Sequence, residues 1–281
     1  PQTIYENVFS LPPGTVAIFR NGQLSVSRYW DLSFEAGPKN RGIEFYKEQL
    51  GLEIRRAVEM QMVSDVPVGA FLSGGIDSSV IVALMSKFSA NRIKTFNVYF
   101  NKDSYDESSY ARMIADRFRT DHHEILCRAA DFADLLPKIV YHADNLLADM
   151  SLIPIYLVSK LASQHVKVVL AGDGSDELFA GYPTYKADRW HAVYQYLPAA
   201  VKKSLNHLAG KIPPSPEKLS LEAQFKRFVA GAHLENEAAH ASWRSIFYPH
   251  EINRLFQEDV RQQIGLNHSF EAYLRQYAGT G

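Results

Sequence analysis

The stretch "GAFLSGGIDSSVIVALM", Gly69 to Met85, sets two glycines, an acid and three hydroxyls between a short apolar run and an apolar helix. The preceding "VPVGAFL" predicts a buried strand ending at Leu72. The following "SSVIVALMSKF", with Val80, Leu84 and Phe88 four apart and Ile81 and Met85 beside them, predicts a helix with one buried face. Between them Gly74 and Gly75 allow a tight turn, and Ser73, Ser78 and Ser79 offer hydroxyls. The N–H groups and positive dipole end of the helix point into the same space, so an oxyanion, most simply a phosphate, belongs there. A plain strand-to-helix connection with a serine cap would share most of these features. Asp77 separates the readings: a carboxylate inside an anion cradle repels phosphate unless a cation such as Mg²⁺ stands between them. No lysine occurs between Met60 and Lys87, so this is not the Gly-Lys-Ser/Thr loop of kinases and GTPases.

A second turn has a similar plan. In "VKVVLAGDGSDELFAGY" an apolar strand runs into Asp173, Asp176 and Glu177. These could serve as turn and cap acids. Beside a polyphosphate, three carboxylates make better sense if hard cations are present. Gly172 and Gly174 begin a dinucleotide-like pattern, but Glu177 takes the place of its third glycine. Asp106 and Glu107 in "YDES" read as caps of the helix they open. In "HHE", His122 to Glu124, adjacent strand residues point to opposite faces and no partner stands at zinc spacing, so metal binding is not expected.

These residues carry a resemblance. "SGGIDSS" resembles the pyrophosphate loop of the N-type ATP pyrophosphatases (PP-loop enzymes), which cleave ATP between its α and β phosphates. Together with "YDESSYARMIADRFRTDHHEI", "ADMSLIPIYLVSKLASQHVKVVLAGDGSDELFAGY" and the opening "LPPGTVAIFRNGQLSVSRYWDL", it is similar to the glutamine-dependent asparagine synthetases, densely from about Asp65 to Tyr185. The resemblance implies ATP and Mg²⁺ as cofactors, with Asp77 and Asp176 holding the metal and Asp173 and Asp176 as catalytic residues. It places ATP and pyrophosphate on Leu72, Ser73, Gly74, Gly75, Asp77, Ser78, Ser79, Val98, Ala171 and Gly172, with adenine on the main chain of Leu72 and Val98 and the ribose by Ala171 and Gly172. Asp149, Ser151 and Glu177 fall on the substrate side, where a turn role for Asp149 and Ser151 stays open. The implied reaction adenylates the side-chain carboxylate of aspartate, and ammonia from glutamine then gives asparagine. Another acid, as in β-lactam synthetases or other amidotransferases, and a nucleotide-binding fragment without turnover remain alternatives.

The elements needed to hold these loops follow from the pattern. A helix is expected from about Ile43 to Asp65, with Leu50, Ile54, Val58 and Met62 on one stripe, and then strands and helices alternate to residue 171. That predicts an α/β fold: a parallel sheet flanked by helices, ligands at the carboxyl ends of the strands, a short N-terminal β segment and a helical C-terminal part. The expected division is 1–40, the end of a glutaminase domain and its linker; 41–190, the ATP-binding core; and 191–281, helical. The family's N-terminal cysteine nucleophile has Pro1 in its place, and in "EAYLRQYAGTG" Ala272 stands where a family lysine would be required. A fragment of a longer protein is therefore expected. The 30 basic and 31 acidic residues nearly cancel, which argues against nucleic acid as a partner. One cysteine, Cys127, permits no internal disulfide, and no apolar run approaches about 18 residues. The expected setting is cytoplasmic, with small-molecule partners, no membrane, and a homodimer left open.

Overall fold

The computed structural model describes residues 3–32, 41–102, 104–144, 149, 151–215, 217, 220–247, 251, 254–264 and 273–274. The chain divides into two compact units, Pro1–Ala171 and Gly172–Gly281. No helix among the described residues is long and apolar enough to cross a membrane.

The first unit opens with an antiparallel hairpin of β1 (Thr15–Arg20) and β2 (Gln23–Arg28). Its turn is Asn21-Gly22, both at positive φ, as a two-residue hairpin turn requires. Then come α1 (Ile43–Gln61), β3 (Val68–Phe71), α2 (Ile76–Phe88), β4 (Lys94–Phe100), α3 (Ser108–Phe118), β5 (Asp121–Cys127), α4 (Ala129–Ala143), α5 (Leu152–Ser163) and β6 (Val168–Leu170). The four later strands form one parallel sheet in the order β5-β4-β3-β6.

Strand alternation sorts the side chains between two helical layers. Ala70, Leu72 and Leu170 pack with Val58 of α1, Val82 and Met85 of α2, and Ala111 and Ala115 of α3. Phe71, Phe96, Val98 and Val169 face the other way, onto Val158 and Ala162 of α5. Ile125 and Cys127 continue that face against Ile139 of α4 and Leu157 of α5. The parallel sheet flanked by helices is thus as expected.

Two stripes differ in detail. In α2 the fully buried residues are Val82 and Met85, while Val80 is 38% exposed. The helix is apolar on nearly every side, so residue spacing could not choose its buried face. In α1, Val58 is buried with Ile54 and Met62 packed beside it, but Leu50 is exposed, because only the C-terminal half of that helix lies on the core.

The second unit is helical: α6 (Ser175–Leu178), α7 (Pro183–Gln195), α8 (Ala199–Lys211), α9 (Leu221–Gly231), α10 (Asn236–Arg244) and α11 (Glu258–Ile264). Its core gathers Tyr194, Ala232, Ala239 and Trp243. The Trp243 ring stacks on Phe228 at 5.6 Å and meets His191 edge-on at 5.7 Å, while its indole N–H donates to the Phe228 carbonyl at 3.2 Å. Gly231 lets α10 come this close: a Cβ there would stand 2.2 Å from Ser242 Oγ and 2.5 Å from Trp243 Nε1. Helix propensity alone favours alanine over glycine by about 0.5–1 kcal/mol, but overpacking costs about 1–3 kcal/mol. Gly231→Ala should therefore lower stability by about 1–2 kcal/mol in urea unfolding; a more stable variant would mean that the α9–α10 contact yields freely.

Candidate active site

The first loop begins where β3 ends. The Leu72 N–H still donates to the Phe96 carbonyl at 2.9 Å, and beyond it the chain leaves the sheet. Ser73 and Ser78 then close the turn on each other. Their hydroxyls lie 3.0 Å apart, the Ser73 N–H donates to Ser78 Oγ at 3.3 Å, and the Gly75 N–H donates to Ser73 Oγ at 3.3 Å. Gly75 is the extended residue before α2, and no side chain caps the helix. The N–H groups of its first turn are thus left for a ligand. Asp77 lies exposed in that turn, and the Ser79 hydroxyl is buried without a hydrogen-bond partner among the described residues.

Gly74 fixes the turn. Its φ is +83°, and a Cβ would sit 2.5 Å from the Ala111 nitrogen and from the Tyr110 carbonyl carbon of α3. Both are backbone atoms that cannot swing aside.

The neighbouring strand leaves an open edge. Backbone groups two residues apart along a strand face the same side, so the N–H and C=O of Val98 point as those of Phe96 do, toward β3. The last β3–β4 pair is Phe71↔Phe96, after Ala70↔Thr95, so Val98 lies past the end of β3 with its side chain packed in the core. The Leu72 carbonyl and the main chain of Val98 therefore lie at this end of the sheet, while the Leu72 N–H stays in the ladder. Ala171 follows β6, the strand next to β3, and Gly172 opens the second unit.

Other singled-out residues have local partners. Asp149 Oδ1 accepts the Ser151 N–H at 2.8 Å, and the Asp149 carbonyl accepts from Leu152 at 3.3 Å, so this pair forms the turn into α5. Asp106 accepts the Ser108 N–H at 3.1 Å and its hydroxyl at 2.9 Å, at the start of α3. His122 faces Thr95, with Nδ1 2.8 Å from Oγ1, and Glu124, which also holds Arg112 at 2.9 Å. His123 stacks on the opposite face with Phe96 at 5.5 Å and His165 at 4.0 Å. Burial pushes the His122 pKa below the usual histidine value, more than Glu124 raises it. Ala272 lies outside the described residues.

The second acidic turn starts the second unit. Ser175 Oγ donates to the Gly172 carbonyl at 2.7 Å, Gly174 is left-handed at φ +85°, and Asp173 is exposed. Gly181 leaves room for the Asp176 carboxylate, since a Cβ there would lie 2.0 Å from Oδ1. The Tyr182 hydroxyl donates to Glu177 Oε1 at 2.7 Å, and the Arg244 guanidinium lies 4.1 Å from the Tyr182 ring centroid. The Tyr182 hydroxyl holds the Glu177 pKa below the carboxylate range, and Glu177 pushes the tyrosine up. Reading the sequence missed Tyr182 and Arg244. Tyr182 stands five residues after Glu177, but Arg244 is distant and no spacing ties it to the turn.

A parallel sheet whose strand runs through a glycine-serine turn into an uncapped helix defines an α/β domain with an open helix start at the carboxyl end of its strands. Comparison with known proteins gives the family. Residues 49–277 match the family model for asparagine synthase, and the chain belongs to the asparagine synthase family. It is 35% identical over 226 residues to the glutamine-hydrolyzing asparagine synthetase 1 of Bacillus subtilis, covering 79% of this chain and 35% of that protein. It is 37% identical over 225 residues to the putative glutamine-hydrolyzing asparagine synthetase 2 of Methanocaldococcus jannaschii, covering 74% of this chain and 42% of that protein. The chain thus spans well under half the length of these relatives. An NH3-dependent NAD synthetase from Campylobacter jejuni superposes on 48% of this chain and 60% of its own with a TM-score of 0.34 and 17% identity, too partial a likeness to bear on fold or function.

Two measurements check the geometry. Gly74→Ala forces a side chain into left-handed backbone and into the α3 backbone, so it should cost more than about 2 kcal/mol. Gly75→Ala meets only Ser73 Oγ at 3.4 Å and should fold like the parent. Equal unfolding midpoints for the two would contradict the packing at Gly74. For His122, the folded-state pKa is depressed, so the unfolded chain binds the proton more readily. The stability difference between the parent and His122→Gln should be full above about pH 6.5, the ordinary histidine value, and shrink as the pH falls below it. A difference independent of pH across that window would mean the imidazole is not held neutral.

Proposed function

We propose that this chain is the synthetase portion of a glutamine-dependent asparagine synthetase. It adenylates the side-chain carboxylate of aspartate with ATP, releasing pyrophosphate, and ammonia from glutamine then yields asparagine and AMP. The observation that carries this reading is the open first turn of α2, lined by Ser73, Ser78 and Ser79 with Asp77 beside them, in a chain of the asparagine synthase family. Relatives named glutamine-hydrolyzing asparagine synthetases support the choice of acid and of nitrogen source.

In this reading adenine meets the main chain of Leu72 and Val98, the ribose lies by Ala171 and Gly172, and the β and γ phosphates occupy the turn from Ser73 to Ser79. Asp173 serves the acceptor, with Asp149, Ser151 and Glu177 on the substrate side. A carboxylate oxygen of aspartate attacks the α-phosphorus, and the bond to the bridging oxygen breaks. Pyrophosphate leaves toward the N–H groups of α2, which stabilise the departing charge. Ammonia attacks the acyl carbon, AMP departs, and the nitrogen sheds a proton. The protein's part is mostly orientation and charge stabilisation.

Among the described residues no group of three or more histidine, cysteine or carboxylate side chains could hold a metal ion alone. Carboxylates are the donors Mg²⁺ takes, usually one or two of them together with substrate phosphates. Asp77 and Asp176 would hold it, and when bound it would offset phosphate charge. Residues 1–40 then form the end of a glutaminase domain and linker, 41–190 the ATP-binding core, and 191–281 a helical part, in a cytoplasmic enzyme of small molecules.

The test is product identification with Mg-ATP, aspartate and ammonium. AMP, pyrophosphate and asparagine are expected, and Asp77→Ala should lower their formation at least about a hundredfold. ADP instead of AMP would overturn the reading, and AMP formed only with a different acid would move it to another amide.

A further inference from the structure

The second acidic turn has little structure of its own to hold it. Its helix α6 is four residues long, and the left-handed residues Gly174 and Ala180 flank it at φ +85° and +54°. A single turn between two such residues cannot set its own direction. Its side-chain tether outward is Glu177, gripped by Tyr182 at 2.7 Å. Tyr182 is the residue just before α7, and Pro183 at the first helical position stiffens that junction. Arg244, which covers the Tyr182 ring, is the last residue of α10.

The tether is the open end of a longer seam. Along α7, Tyr182, Tyr185, Asp188 and His191 recur every three residues, and along α10 Arg244, His240 and Asn236 recur every four. The two rows meet antiparallel. Tyr185 lies 5.4 Å from the His240 ring, Asp188 Oδ2 is 2.8 Å from His240 Nδ1, and His191 Nδ1 is 3.0 Å from Asn236 Oδ1. His191 and His240 are 2% and 8% exposed, and each is held by a partner nearer the surface, Asn236 and Asp188, so two buried imidazoles fix the seam's register. Its exposed end therefore presents Tyr182 and Arg244 at one place.

We propose that Tyr182 and Arg244 are positioning residues for the second acidic turn, and that the α7–α10 pair is the scaffold that fixes where Asp173 and Asp176 stand. This rests on the asparagine-synthetase reading for its chemistry but not for its geometry. An exposed carboxylate pair is weak as a stabilising contact. Its value is in selecting one loop geometry, because misplacing reacting groups by about 1 Å can cost about a hundredfold in rate.

The test uses the full-length protein that contains this chain, with Tyr182→Phe, Arg244→Gln and Arg244→Lys. Backbone hydrogen exchange is read at residues 175–181 and, as a control, across α9 and α2. Aspartate-dependent ATP–pyrophosphate exchange gives kcat, the KM for ATP and the half-saturating Mg²⁺. In Tyr182→Phe and Arg244→Gln, amides 175–181 should exchange faster with α9 and α2 unchanged. The half-saturating Mg²⁺ should rise several-fold and kcat fall about tenfold at constant KM for ATP, with Arg244→Lys recovering most of both. Unchanged exchange at 175–181 overturns the proposal, and so does faster exchange throughout α9, which would mark a merely structural role. A parent protein without aspartate-dependent exchange overturns the activity reading, while hydrogen exchange still decides the tether.

Discussion

The close approach of Gly74 to the backbone of α3 is the constraint on which the first site depends. With a φ of +83° and only 2.5 Å between a would-be Cβ and the Ala111 nitrogen, the chain can make this turn only without a side chain. The turn in turn decides where α2 begins. α2 is anchored by Val82 and Met85 in the same core as Ala111 and Ala115, so the glycine contact and the apolar packing fix one another.

Once α2 is fixed, the chemistry of the loop follows from what is missing around it. No side chain caps the helix, and the serines nearest to it spend their hydrogen bonds on each other. The first-turn N–H groups of α2 stay open, and the buried Ser79 hydroxyl has no hydrogen-bond partner among the described residues. At the same end of the sheet, β4 runs past β3 and frees the main chain of Val98. The open first turn of α2 and the unpaired edge of β4 at Val98 thus stand at the same end of the sheet.

The helical unit solves a different problem. A loop rich in carboxylates repels itself, and one short helical turn gives it little rigidity. The α7–α10 seam, with Trp243 and the buried rings of His191 and His240 at its heart, ends in a tyrosine bonded to Glu177 and an arginine over that tyrosine's ring. A helix pair whose register is set by two buried histidines thus ends at a surface loop of carboxylates.

How much of this was legible in the sequence depends on the range of the interaction involved. The strand-turn-helix at Leu72 to Ser79, the parallel alternation and the acidic character of both turns are local, so periodicity and residue type sufficed. The buried face of α2 was not legible, because an almost wholly apolar helix has no preferred side until neighbours choose it. Likewise, Asp149 and Ser151 left turn and substrate roles open; the structure adds a 2.8 Å bond from the Ser151 N–H to the Asp149 carboxylate, a local turn that a substrate role does not preclude. Tyr182 and Arg244 were invisible as a pair, since they stand 62 positions apart and only the antiparallel packing of α7 on α10 brings guanidinium to ring. The sequence by itself determined the kind of chemistry, through glycines, hydroxyls and carboxylates at local spacing. Tertiary structure alone decided which faces are buried and which distant residues hold the loops, because those contacts are set by packing between elements, and local spacing carries no record of it.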